Sequence, residues 1–215
     1  MSGEIERLHY RVVTPDDQAF IDDMNIVATF AGRMHDAELP ETDSFLEDVE
    51  PVAVYSKNFG QPGDLGLIAQ DSEGLDVAAV WAREYARTDD HVMKSHPFEL
   101  TIAVREAVRG QGIGRQLLDS FATMAWLHGK DEISLGVHKK NQGARHLYES
   151  NGYIPLVDDQ GAEGVLPGNS TPMVRVLQPE RTLRVEPLRV DDEGNVDMEA
   201  VSFPPFNIDD VEIVT

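Results

Sequence analysis

The chain has 215 residues, of which 41% are hydrophobic, and this is enough to build one globular domain with a sizeable core. Asp and Glu outnumber Lys and Arg by 39 to 18, and the resulting net charge of -21 repels nucleic acid and anionic lipid, so neither is expected as a partner. The absence of cysteine excludes disulfides, a thiolate nucleophile and cysteine-ligated metal, and no metal is expected.

The first predicted elements are a short strand at 10–13 and an amphipathic helix. Thr14 can cap this helix, Pro15 suits its first turn, and Asp17 completes a capping box. Apolar residues then recur at spacings of three and four, which predicts one buried helix face. Its members are Phe20, Met24, Val27, Ala28 and Ala31.

Residues 34–56 contain seven acids and no Lys or Arg, and they are predicted to form a loop and a second short helix. Two apolar runs separated by Asp-Ser-Glu-Gly then predict a hairpin. In chain order, the hairpin strands and later elements are strands Leu65–Gln70, Asp76–Tyr85 and Phe98–Val104, helix Gly112–His128, strand Ile133–Val137, helix Gln142–Ser150, a loop at Val157–Thr171 and strand Pro172–Leu177. This order predicts an α/β fold with a mixed sheet covered by helices on both faces.

Three glycines, Gly110, Gly112 and Gly114, lie between a predicted strand end and a predicted helix start. Such a turn directs backbone N–H groups into one concavity, to which the positive end of the helix adds, so the pattern predicts a pyrophosphate site. A dinucleotide fingerprint starting at Gly110 would need glycine where Arg115 stands, and the Gly-Lys-Ser/Thr of a Walker loop is absent. The remaining alternative is a plain strand-to-helix connection.

Residues 109–114, Arg-Gly-Gln-Gly-Ile-Gly, resemble the Arg/Gln-x-x-Gly-x-Gly signature of the GCN5-related N-acetyltransferase (GNAT) family. Asn141, Ala144, Leu147-Tyr148 and Gly152-Tyr153 are similar to the family's second signature. The likeness covers about residues 8–177 and identifies 1–177 as an N-acetyltransferase domain. It implies the acyl-CoA N-acyltransferase fold, an α/β (α+β) fold with a mixed, mostly antiparallel central sheet, and acetyl-CoA as cosubstrate.

The resemblance also implies which residues bind acetyl-CoA. A splayed strand end would receive the pantetheine arm through main-chain hydrogen bonds and supply an N–H to the thioester carbonyl oxygen. The implied cofactor-binding residues are Ile102, Ala103, Val104, Arg109, Gly110, Gln111, Gly112, Ile113, Gly114, Arg115 and Asn141. Arg105 is a further candidate for phosphate contact, whereas Arg115 can instead be a helix-surface charge and Asn141 a helix cap.

Two residues are the catalytic candidates. The resemblance places the Tyr148 hydroxyl near the thioester sulfur, and a reference pKa of about 10 keeps it protonated for use as a general acid; the alternative is a core tyrosine. Glu99 is the candidate general base, because family members commonly carry a glutamate early in this strand. Its alternative is a solvated glutamate on a half-exposed strand. Reserve bases are Glu84, His96 and His138.

The implied function is transfer of an acetyl group from acetyl-CoA to a primary amine of a small molecule or peptide by direct attack in a ternary complex. One alternative is a regulatory module that binds CoA esters without transferring the acyl group, and another is a purely structural interaction protein. The acceptor is expected to be cationic, because the acids of 34–56 lie in a region expected to border the cleft. A solvated acidic face is the other interpretation of those acids.

Residues 178–215 lie beyond the likeness and carry ten acids against three Arg. Strand-like Leu183–Val185 and Val211–Val214 and two phenylalanines predict a partly ordered acidic extension that covers a sheet edge of its own or a neighbouring subunit. A homodimer is therefore expected. The sequence lacks a signal-peptide pattern and any run of about 18 apolar residues, which predicts a soluble, cytoplasmic protein.

Overall fold

The computed structural model describes residues 8–30, 53–84, 96–157, 161–166 and 169–177. The strands are β1 His9–Val12, β2 Leu65–Gln70, β3 Asp76–Glu84, β4 Phe98–Val104, β5 Glu132–His138, β6 Ile154–Pro155 and β7 Ser170–Val176. The helices are α1 Gln18–Phe30, α2 Ile113–Leu127 and α3 Gln142–Ser150, with short 3-10 turns at Pro15–Asp17 and Glu106–Val108.

The seven strands form one sheet in the order β1-β2-β3-β4-β5-β7-β6. Every neighbouring pair is antiparallel except β4 and β5, which run parallel, so the predicted mixed, mostly antiparallel sheet is confirmed. β4 pairs with β3 along its whole length, whereas its register with β5 is a single pair, Glu99 with Ser134. The sheet therefore consists of two antiparallel halves that diverge beyond Glu99.

Helices cover both faces of the sheet, as predicted. On one face α2 and Tyr148 of α3 pack against Phe98, Leu100 and their neighbours in the larger apolar core. On the other face α1 packs against Trp81 and Ala103 in a second core. Alternate residues of β4 thus face α2 or α1, as the two-residue period of a strand requires.

The start of α1 follows the predicted capping pattern, although it first makes a 3-10 turn. The Asp17 carboxylate accepts hydrogen bonds from the Thr14 backbone N–H at 2.8 Å and the Thr14 hydroxyl at 3.0 Å. The buried face differs by one residue from the prediction, since Ile21 is fully buried while Phe20 is half-buried. The predicted buried face begins at Phe20, one residue before the first residue of α1 that the structure buries.

The other predicted elements are found within about two residues of their expected ends. The two-residue β6 was not predicted, because a strand so short has no alternation to recognise. β7 begins at Ser170 rather than at the expected Pro172. Inside the expected loop at 157–171, isolated bridges join Val157 to Glu163 and Leu166 to Ser170. The predictions for 34–52, for Ala31 and for the extension at 178–215 fall outside the described residues.

Candidate active site

The carboxyl ends of β4 and β5 separate to leave a gap in the middle of the sheet. Ile102, Ala103 and Val104 are in register with β3, and within the described chain no residue of β5 is in register with them. Main-chain N–H and C=O groups need hydrogen-bond partners when they are screened from water. The β5-facing edge of β4 can therefore pair with an extended group inserted into the gap.

The point where the gap begins is fixed by Ser134, which is fully buried. Its hydroxyl lies 2.7 Å from the carbonyl oxygen of His96 and 3.1 Å from that of Phe98, and so holds the two parallel strands together at their amino ends. At this same end, His96 Nδ1 lies 2.7 Å from Glu132. Because the gap opens at the opposite ends of the strands, the structure does not bring His96 to it.

The reserve base Glu84 is also placed away from the gap. It is in register with Phe98, the first residue of β4, and its carboxylate pairs with Lys130 Nζ at 2.6 Å. His138, the third reserve, ends β5 at the mouth of the gap, where its Nδ1 accepts a hydrogen bond from the Lys140 backbone N–H at 3.2 Å.

The glycine turn lies between the end of β4 and the start of α2. Gly110 and Gly112 have φ angles of +77° and +81°, in the left-handed region that favours glycine. The first helical bond runs from the Gln116 N–H to the Gly112 carbonyl, so the N–H groups before it lie at the positive end of α2. A Cβ at Gly112 would meet only Gln116 Nε2, at 4.0 Å, which leaves room for a ligand against the backbone.

The next two residues of the motif serve the packing of α2. A Cβ at Gly114 would stand 3.2 Å from Leu147 Cδ2, so its absence lets α3 approach α2 closely. The Ile113 side chain is buried in the core. Only the backbone of Ile113 and Gly114 can therefore contact a ligand, while Gln111 is exposed on the turn.

The three candidate arginines point in different directions. Arg109 Nε donates to the Val104 carbonyl at 2.9 Å and closes the glycine turn against the end of β4. Arg115 is exposed on the first turn of α2. Arg105 pairs with Asp23 of α1 at 3.0 Å and lies over the Phe20 ring, and its contact with phosphate stays a prediction.

Glu99 is buried, with 5% of its surface exposed, and the interpretation as a solvated glutamate is therefore wrong. It alternates with the β4 residues that face α2, and so lies on the α1 face of the sheet. Burial raises the pKa of the Glu99 carboxyl to about 7, and a hydrogen bond from the Tyr55 hydroxyl opposes this rise. A carboxyl of this kind can accept a proton near neutral pH.

Tyr148 lies on the opposite face of the sheet from Glu99. It is buried in the core beside α2, and its ring packs edge-on against Tyr153 with 5.7 Å between the ring centroids. Burial raises the pKa of the Tyr148 hydroxyl, which keeps the phenol protonated at neutral pH. This packing also suits a core tyrosine, so its role as general acid stays a prediction.

Asn141 caps α3, and the structural alternative for this residue is confirmed. Its side-chain oxygen accepts a hydrogen bond from the Ala144 N–H at 3.1 Å, and its own N–H donates to the His138 carbonyl at 2.7 Å. The cap joins the end of β5 to α3, and so fixes the helix that carries Tyr148.

Sequence reasoning missed several contacts that build the site. Tyr55 lies far from Glu99 in the chain, and no local pattern relates the two. Leu166 covers β5, with its Cδ1 2.9 Å from where a Cβ on Gly136 would stand. Arg145 of α3 holds the loop by a two-pronged ion pair to Glu163, at 2.9 and 2.5 Å. Only long-range covariation could have signalled such contacts.

Across the described ranges, no group of three or more His, Cys, Asp or Glu is placed to hold a metal ion. No helix in the same part of the chain is both long and apolar enough to cross a membrane.

Comparison with known proteins gives one curated relative, the mycothiol acetyltransferase of Beutenbergia cavernae, at 29% identity over 97 residues. The match covers 44% of this chain and 30% of the relative, so the chain spans about a third of that relative's length. Many solved structures share the fold.

Three of these structures illustrate the likeness. The structure of yncA from Salmonella typhimurium with its cofactor acetyl-CoA has 20% identity and a TM-score of 0.54, over 80% of this chain and 95% of that one. A GNAT-family acetyltransferase of Staphylococcus aureus has 16% identity and a TM-score of 0.55, over 80% and 100%. The spermidine N-acetyltransferase of Vibrio cholerae with CoA and spermine has 19% identity and a TM-score of 0.50, over 79% and 95%.

These similarities establish the fold, and the family model for the acetyltransferase (GNAT) family matches residues 31–153, more than half of the chain. The chain therefore belongs to the GNAT acetyltransferase family.

Proposed function

We propose that this protein is an acetyl-CoA-dependent N-acyltransferase that acetylates a primary amine of a small molecule or peptide by direct attack in a ternary complex. The observation that carries the proposal is a buried Glu99 at the start of the β4–β5 gap. The names of the relatives, a mycothiol acetyltransferase and a spermidine N-acetyltransferase, agree with acetylation of an amine.

The residues along the gap fit acetyl-CoA. The Gly110–Gly112 turn and the positive end of α2 offer backbone N–H groups and open space to a pyrophosphate. The β5-facing edge of Ile102, Ala103 and Val104 offers hydrogen bonds to an extended amide-containing arm. When bound, acetyl-CoA supplies an acetyl group activated as a thioester, and an N–H of this β4 edge would stabilise the negative charge that develops on the carbonyl oxygen.

Glu99 acts as the general base. An alkylamine is mostly protonated near neutral pH, so it must lose a proton before its nitrogen can attack. Glu99 is ionised on the alkaline side of its pKa of about 7 and can then accept this proton, directly or through one water. Its place on the α1 face assigns that face to the acceptor.

Tyr148 acts as the general acid from the other face. As the carbon–nitrogen bond forms and the carbon–sulfur bond breaks, the leaving sulfur becomes negative and needs a proton. The buried phenol of Tyr148 is protonated at neutral pH and can donate to it. Because Glu99 and Tyr148 lie on opposite faces of the sheet, this mechanism requires both groups to meet one reacting centre through the gap.

The acceptor is a cationic amine in this proposal. Ionised Glu99 provides negative charge beside the gap, and the acidic excess of the whole chain attracts cations at longer range. Leu166, packed over Gly136 on β5, would supply an apolar wall. A small amine with a short aliphatic body fits these surroundings.

The test is a screen of amines with acetyl-CoA, in which release of free CoA thiol is followed. The panel contains polyamines, amino sugars and short peptides with a free amino group, with neutral and acidic amines for comparison. We expect turnover with at least one cationic amine, and loss of that turnover in Glu99→Gln. Acetyl-CoA binding measured by calorimetry without turnover on any amine would instead support the regulatory module, and failure to bind any CoA ester would refute both.

A further inference from the structure

We propose that Tyr55 is a positioning residue of the active site, whose hydroxyl holds the Glu99 carboxyl in its working orientation beside the β4–β5 gap. This inference rests on the proposed function, because it takes Glu99 as the base. Tyr55 lies in the turn at 53–59, before β2, and this turn covers Glu99 on the α1 face.

The turn at 53–59 is held rigidly by β3. Trp81, which is 1% exposed, donates its Nε1–H to the Tyr55 carbonyl at 2.8 Å. The Arg83 guanidinium donates to the carbonyls of Val54, Lys57 and Asn58 at 2.7 to 3.1 Å. Arg83 and Glu99 are register partners on adjacent strands. The residue that anchors the turn, Arg83, therefore lies directly beside Glu99, which the turn covers.

Helix α1 holds the same turn from the other side. Gln18 donates to the Ser56 carbonyl at 3.0 Å and accepts from the Phe59 N–H at 2.9 Å. Asn25 donates to the Ser56 hydroxyl at 3.1 Å in a fully buried contact. With its backbone fixed from both sides, Tyr55 can direct its hydroxyl with little freedom, as a positioning role requires.

The surroundings of Glu99 make this hydroxyl important. The charged or titratable groups on elements around it are, near the turn, Arg83, Asp64 and the exposed Lys57, around α1, Asp22, Asp23 and Arg105, and on β5, Glu132 and His138. Arg83 forms an ion pair with Asp64 at 2.8 Å, and Arg105 one with Asp23 at 3.0 Å, so both arginines are already matched by a carboxylate. The β5 residue in register with Glu99 is the uncharged Ser134. A neutral donor from Tyr55 therefore supports the Glu99 carboxylate without locking it into an ion pair, which leaves the carboxyl free to gain and lose a proton.

The experiment compares Tyr55→Phe with Tyr10→Phe. Tyr10 donates to Gln116 at 2.9 Å on the α2 face, so the control also loses one tyrosine hydrogen bond, but far from Glu99. For Tyr55→Phe we expect kcat at pH 7 to fall about ten- to a hundredfold, with the acid limb of the pH–rate profile moved to higher pH and partial recovery in alkali. The KM for acetyl-CoA should not change, and Tyr10→Phe should keep the parent profile.

Infrared titration of the free protein provides a readout that needs no turnover. The band of the protonated Glu99 carboxyl, identified by its absence in Glu99→Gln, should shift in frequency and titrate at higher pH in Tyr55→Phe but not in Tyr10→Phe. If this shift is seen and no amine is acetylated, the proposed function fails while the Tyr55–Glu99 coupling stands. If the enzyme is active and Tyr55→Phe leaves both the band and the pH profile unchanged, the positioning role is refuted.

Discussion

The two sides of the β4–β5 gap are built from contacts of very different range. On the α2 side, Arg109 bonds to a carbonyl five residues away, and Asn141 caps α3 three residues on. On the α1 side, Asn25 reaches Ser56 across 31 residues and Trp81 reaches Tyr55 across 26. Short sequence motifs therefore signal these contacts on the side proposed to bind the cofactor. On the side proposed to bind the acceptor, the contacts join residues that are far apart in the sequence, and no short motif signals them.

Substitution in the glycine turn should produce the largest effect, on the cofactor side alone. Gly112→Asp places a carboxylate at a left-handed residue where we expect phosphate, so acetyl-CoA binding should fall below detection in calorimetry. Gly129→Asp is the matched control, because Gly129 has a similar φ of +75° at the other end of α2. Equal binding by the Gly112 variant and the parent would remove the turn from the cofactor site.

Glu99→Gln tests the acceptor side. The pKa of about 7 predicts that kcat/KM rises with pH through neutrality, because the carboxylate is the active form. The variant should show no inflection near neutral pH, and its rate at pH 8 should be about 10²- to 10⁴-fold lower than that of the parent. Its affinity for acetyl-CoA should stay at the parent value. The measurements are a pH–rate profile and calorimetry, and a variant that keeps the neutral inflection would transfer the base role to another group.

The same substitution should change stability in a direction set by burial. Burial raises the Glu99 pKa from 4.5 to about 7, so the contribution of Glu99 to stability is fully present below the unfolded pKa and is lost as pH rises through that interval. Glu99→Gln should therefore gain, relative to the parent, about 3 kcal/mol of unfolding free energy between pH 4 and pH 8. Urea unfolding at both pH values measures it, with exposed Glu84→Gln as control; a pH-independent difference would contradict the raised pKa.

Tyr148→Phe should have an intermediate effect. Removing only the hydroxyl should lower the rate constant for the chemical step about ten- to a hundredfold and leave acetyl-CoA binding unchanged. Tyr153→Phe removes the hydroxyl of the adjacent ring and serves as control. Single-turnover kinetics separate the step, and an unchanged rate constant would reduce Tyr148 to a packing role.

The smallest expected effect concerns Asn141, where packing and binding can be separated. Asn141→Ala should cost about 1 kcal/mol of unfolding free energy, because the cap on α3 is lost. Asn141→Ser keeps a capping oxygen and removes the amide donor, so it should retain most of the stability. If Asn141→Ser nevertheless weakens acetyl-CoA binding, the amide contacts the cofactor; equal affinity would limit Asn141 to capping.

The sequence predicted α3 and its cap well because their signals are local. The glycines at 110–114 and the cap at Asn141 have meaning within a single turn of chain, and α3 has its predicted ends. The sequence identifies Glu99 as a candidate base but does not predict its burial, because that burial depends on the turn at 53–59. The ion pair of Arg105 with Asp23 was not predicted either, because it joins residues 82 positions apart and no local pattern relates them.

The single residue pair between β4 and β5 also marks where the sheet is weakest. Each half of the sheet keeps its own antiparallel ladder, so an opening short of global unfolding is expected between β4 and β5, where the Glu99–Ser134 pair, the Ser134 hydroxyl and the shared core join the halves. A molecule of acetyl-CoA held along both edges would bind only the closed form and so oppose this opening by mass action. Resistance of the purified protein to proteolysis should therefore rise with the concentration of acetyl-CoA.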